Sequence, residues 1–89
     1  MPSTFSIALR ALTALDLRFG DDFRPADDAR LDGNTRVFPF WLRGSEFRLH
    51  WPGGASSAFR LFGPYGLEEA FDPNDLLSGL TEVCDRFTR

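Results

Sequence analysis

His50 and Cys84 are the only histidine and the only cysteine of the 89-residue chain. Either residue type can serve as general base, nucleophile or metal ligand, but each role needs a partner within hydrogen-bond reach. His50 lies in the alternating stretch Glu46-Phe47-Arg48-Leu49-His50-Trp51. Its expected neighbours on one sheet face are Arg48 and Arg60, which would repel a metal cation. Cys84 falls on the apolar stripe of a C-terminal helix, where a cysteine packs rather than reacts. One cysteine permits neither an intramolecular disulfide nor a cysteine-based zinc site.

Carboxylates come in adjacent pairs: Asp21/Asp22, Asp27/Asp28 and Glu68/Glu69. Asp28-Ala29-Arg30-Leu31-Asp32-Gly33 superficially follows a calcium loop, but Arg30 takes the third ligand position and Pro39 stands where the loop's closing glutamate is required. Pro52-Gly53-Gly54-Ala55-Ser56-Ser57 offers backbone N–H groups to an anion, yet lacks the lysine and following helix of a phosphate loop. These readings leave a surface rather than a reaction, and they imply no cofactor.

That surface comprises Trp41, Arg43, Arg48, His50 and Arg60, on or beside the open face of a predicted sheet. Tryptophan and arginine are favoured at protein contacts. The expected function is a non-enzymatic protein-binding module (a small acidic inhibitor, immunity factor or adaptor). The alternative is a nucleic-acid binder, because basic aromatic sheets stack and neutralise single strands. A third reading is an enzyme subunit that draws its chemistry from carboxylates or a second chain. A homodimer through the open face or the Pro39 edge is a further expectation.

The elements that would position these residues can be read along the chain. Phe5, Ala8, Leu9, Leu12, Leu15 and Phe19 form one helical stripe; strand alternation over 4–17 is also present, but the prevalence of Ala, Leu and Arg decides for a helix. Ser3 or Thr4 can cap it and Gly20 can end it. Residues 20–35 are rich in turn formers and read as an acidic loop. Residues 36–43 and 46–51 alternate about Gly44-Ser45, which predicts a hairpin pairing Leu42 with Phe47, Phe40 with Leu49 and Phe38 with Trp51. A four-residue loop, Arg43 to Glu46, turns Pro39 outward onto a sheet edge. On the opposite face this register sets Arg43 against Glu46 and Trp41 against Arg48, an ion pair and a cation–π contact. Ala58–Phe62 reads as a third strand, and Leu67–Phe71 as one helical turn. Asp72 and Pro73 then start an amphipathic helix with Leu76, Leu80, Val83, Cys84 and Phe87 inward, and with Arg86 and Arg89 at its C-terminal end.

The expected architecture is a single α+β domain over 1–89: an N-terminal helix, a three-stranded antiparallel meander and a C-terminal amphipathic helix packed on one sheet face. Composition agrees with a folded domain, at 43% hydrophobic and 26% charged. The aromatic content is high, with 10 Phe, 2 Trp and 1 Tyr. All ten basic residues are arginine, a usage that fits GC-rich coding in a bacterium or phage. The net charge of -3 is uneven, since the middle of the chain is basic and its flanks are acidic. No basic and apolar leader opens the chain and no apolar run approaches a membrane span, so the expected location is the cytoplasm.

Overall fold

The computed structural model describes residues 4–25, 30–51 and 58–88. The expectations for Ser3, Asp27/Asp28, the loop 52–57 and Arg89 lie outside these residues. Helix α1 spans Thr4–Phe19 and helix α2 spans Leu76–Thr88. Between them lie β1 (Phe23–Pro25), β2 (Arg30–Asp32), β3 (Thr35–Leu42), β4 (Ser45–Trp51), β5 (Phe59–Phe62) and β6 (Glu68–Phe71). The class is α+β, as the sequence predicts. The sheet, however, has six strands rather than three, in the order β1-β3-β4-β5-β6, with β2 also pairing β3. All pairings are antiparallel.

The extra strands come from segments whose own sequence is poor in strand formers. β1 and β2 arise inside the expected acidic loop, and share the outer edge of β3. Phe23 is the anchor of β1: it is buried, and its ring lies 5.2 Å from Phe40. Likewise Glu68–Phe71 is a strand rather than a helical turn, because it completes the edge of β5. Tertiary pairing has overridden local propensity at all three places.

The hairpin of β3 and β4 also departs from expectation. Leu42 pairs with Ser45, so the connection is the two-residue turn Arg43-Gly44 rather than a four-residue loop. Both turn residues have positive φ, 52° and 82°, as a type I′ turn requires. The register therefore shifts by two residues. Phe40 faces Phe47, Phe38 faces Leu49, Trp41 faces Glu46 and Pro39 faces Arg48. The shift replaces the expected Arg43–Glu46 and Trp41–Arg48 pairs. Because it is even, the side chains within β3 and β4 keep their expected faces.

Pro39 is accommodated by the same geometry. In a two-residue hairpin Leu42 and Ser45 exchange ladder hydrogen bonds, and every second pair does so after them. Pro39 opposite Arg48 belongs to the intervening pairs, so its nitrogen points away from β4. It lies between Phe40, which pairs with Pro25 of β1, and Val37, which pairs with Arg30 of β2. β3 is thus flanked at both ends rather than forming a free edge, and Pro39 sits buried between its two neighbours.

Both helices cover one face of the sheet. Ala8, Leu12 and Leu15 of α1, and Leu76, Leu80, Val83 and Cys84 of α2, join Phe38, Phe40, Phe47, Leu49, Phe59 and Leu61 in one core. Phe40 and Phe47 stack with centroids 5.3 Å apart, and Phe87 of α2 meets Phe47 edge-on at 5.1 Å. An aromatic column thus ties β1, β3, β4 and α2 together. Asp72 and Pro73 begin the last helix as read, through a 3-10 turn, although the Asp72 side chain makes no capping hydrogen bond.

Gly44 tests the turn. A Cβ there would meet nothing within 4 Å, so the cost of a side chain is that of the backbone alone. Gly44→Ala is expected to lose about 1–2 kcal/mol of stability. Urea unfolding should show a lower midpoint with an unchanged slope.

Candidate functional site

The helix-free face of the sheet is built from cross-strand rows, beginning beyond the pair Asp32–Thr35 at the end of β2. Arg30, Val37, His50, Arg60 and Ala70 form the first. Pro39, Arg48, Phe62 and Glu68 form the second. Arg24, Trp41 and Glu46 form the third. Four of the five residues singled out from sequence, Trp41, Arg48, His50 and Arg60, lie on this face. Arg43 does not. Its left-handed turn conformation sends the guanidinium sideways, where Nη1 donates to the carbonyl of Thr88 at 2.9 Å and Nε donates to Asp22 at 3.4 Å. Its backbone N–H also donates to the Asp22 carbonyl, at 2.7 Å. Arg43 therefore ties the hairpin to the end of α2 and the start of β1.

Two arginines on the face were missed by sequence reading, Arg24 and Arg30. Both lie on the short strands hidden in the turn-rich segment. The only local signal was the lone apolar Phe23 ahead of Arg24-Pro25.

Basic residues outnumber acidic ones on the face: Arg24, Arg30, Arg48 and Arg60 stand against Glu46, Glu68 and, by its register opposite Thr35, the position of Asp32. Arg60 makes an exposed ion pair with Glu68 at 3.6 Å, which contributes little. Elsewhere Arg18 forks onto Asp85 at 2.8 and 3.3 Å, and Arg86 reaches Glu69 at 3.8 Å. Arg24, Arg30 and Arg48 have no ion pair or hydrogen bond among the described residues. Between them runs the apolar strip of β3: Val37, 6% exposed, buried Pro39, and half-buried Trp41.

Two clefts open on this surface. One, of about 530 Å³, lies at the hairpin end and is lined by Asp21, Asp22, Arg24, Trp41 and Arg43. The other, of about 310 Å³, is lined by Arg30, Leu31, Val37, Arg48 and His50. The His50 ring packs edge-on against Phe62 at 4.7 Å. Among the described residues no three His, Cys, Asp or Glu side chains gather as a metal site. No helix among them is long and apolar enough to cross a membrane.

The sheet edges are less suited to a partner than its face. β6 at one edge is short and carries two glutamates, and the other edge is divided between two three-residue strands with Pro25 at the break. Short, charged and proline-bearing edges resist strand addition.

No protein-family model matches the chain, and no curated protein or solved structure matches it significantly. Function is therefore argued from the site.

Cys84 lies on the other side of the sheet, fully buried in the core. Burial pushes its thiol up to about 12, and the nearby Asp85 carboxylate adds to the shift. An acid whose folded pKa is raised holds its proton more tightly in the folded state. Its contribution is fully present below the unfolded thiol's pKa and is lost as pH climbs from there towards 12. Wild-type stability is expected to fall more steeply than that of Cys84→Ala over this alkaline range, as followed by urea unfolding at stepped pH.

Proposed function

We propose that the protein is a non-enzymatic binding module that holds an acidic protein partner against the open face of its sheet. One observation carries this reading: Arg24, Arg30 and Arg48, unpaired among the described residues, flank the apolar strip Val37-Pro39-Trp41. Arginine and tryptophan around a partly desolvated apolar centre are the composition of a protein-contact hot spot. The unpaired guanidinium groups keep their forked donors for a partner's carboxylates. The attraction for an acidic partner comes from these local guanidinium groups and acts against the chain's overall net charge of -3. An inhibitor, an immunity factor or an adaptor would use such a face.

The second reading, a single-stranded nucleic acid on the same face, draws on the half-buried Trp41 beside Arg24. Against it stand the acidic net charge and the mutual packing of the face's other two rings, since Phe62 and His50 meet edge-on rather than standing free to stack on successive bases.

Affinity capture from lysate of the source organism, with and without nuclease, separates the two. A stoichiometric protein retained after nuclease by the wild type is expected. Its affinity should fall roughly tenfold or more for Trp41→Ala and for Arg48→Ala. Capture that ends on nuclease treatment, or that both variants leave unchanged, would refute the proposal.

A further inference from the structure

We propose that the 310 Å³ cleft between β2 and β4 is an anion subsite that takes the phosphate of a phosphomonoester. The inference rests on the open face being the binding surface, and specifies what part of it recognises. Arg30 and Arg48 approach the cleft from opposite flanks of β3, each without an ion pair or hydrogen bond among the described residues. Elsewhere Arg18, Arg43, Arg60 and Arg86 each meet a carboxylate. Two guanidinium groups facing one cleft supply two positive charges, and a phosphomonoester carries close to two negative charges at neutral pH. Each fork can donate two parallel N–H bonds to the oxygens of one phosphate. His50 forms a third wall.

The floor adds selectivity for an organic ester over a free inorganic ion. Val37, 6% exposed, lies between the two arginines, so an apolar group attached through the ester oxygen has a surface to cover. Among the described residues that line the cleft there is no acid. Glu46 is across from Trp41, and Glu68 is held by Arg60. The other cleft differs in this respect, because Asp21 and Asp22 line it and would repel an anion.

The test is a titration of the isotopically labelled full chain by NMR with phenyl phosphate, alongside benzoate and inorganic sulfate at the same ionic strength. The expected result is saturable shifts confined to the amides of Arg30, Leu31, Val37, Arg48 and His50. Affinity should be highest for phenyl phosphate, and roughly tenfold lower in Arg48→Ala and in Arg30→Ala. An unchanged amide spectrum outside the site shows that these surface variants fold. Equal binding of benzoate would overturn the dianion argument, and equal binding of sulfate the role of the floor. Shifts spread over Arg10 and Arg86, or a wild-type response kept by both variants, would remove the subsite. Because the titration needs no macromolecule, its failure leaves partner capture by the face untouched, and loss of capture leaves the titration intact.

Discussion

The turn Arg43-Gly44 sets the register on which the rest of the structure depends. Closing the hairpin with two residues of positive φ brings Phe40 opposite Phe47, the pair whose stacked rings join the aromatic column from β1 to α2. A non-glycine residue in the left-handed region costs about 1–2 kcal/mol. Arg43 tolerates it in a setting where its backbone N–H meets Asp22 and its guanidinium meets Thr88. Those contacts also hold the chain entering β1 and the C-terminal turn of α2 at one corner of the molecule. The turn thus links a local backbone preference to the packing of elements distant in sequence.

The same register determines the character of the opposite face. With Trp41 facing Glu46 and Pro39 facing Arg48, β3 runs an apolar strip through the middle of a basic surface. Pro39 removes a donor at a position where the hairpin ladder does not use one, and the break between β1 and β2 falls beside it. Those short strands bring Arg24 and Arg30 to the flank of the strip. A three-stranded meander would have lacked both arginines, and β3 would have been exposed as an edge. Placing both helices on one side completes the division: aromatic packing lies beneath the sheet, and above it stand the guanidinium groups of Arg24, Arg30 and Arg48, unpaired among the described residues.

How far the sequence discloses this depends on where each residue's fate is decided. Helices α1 and α2 are legible because their apolar spacing matches the surface they bury. β3 and β4 are legible because they alternate. Their turn is misread, since arginine is an unusual first residue for a type I′ turn and Gly44-Ser45 looks the better hairpin. Faces survive that misreading, since a slip of two residues preserves inward and outward positions. Trp41, Arg48, His50 and Arg60 are therefore placed on the right face; His50 meets Arg60 as expected, whereas Trp41 and Arg48 have other cross-strand partners. β1, β2 and β6 are illegible for a different reason. Phe23-Arg24-Pro25, Arg30-Leu31-Asp32 and Glu68–Phe71 form strands because existing strands offer them unpaired edges, and that is a property of the tertiary fold. The arginines those segments carry are hidden from a reading of one chain.

The most direct measurement is the set of Hα–Hα nuclear Overhauser contacts across β3 and β4. Such contacts are strongest between residues facing each other without exchanging ladder hydrogen bonds. The two-residue turn predicts them for Trp41 with Glu46 and for Val37 with His50. A strong contact between Trp41 and Arg48 instead would establish the longer loop, undo the Phe40–Phe47 stack and remove the arrangement of the open face described above.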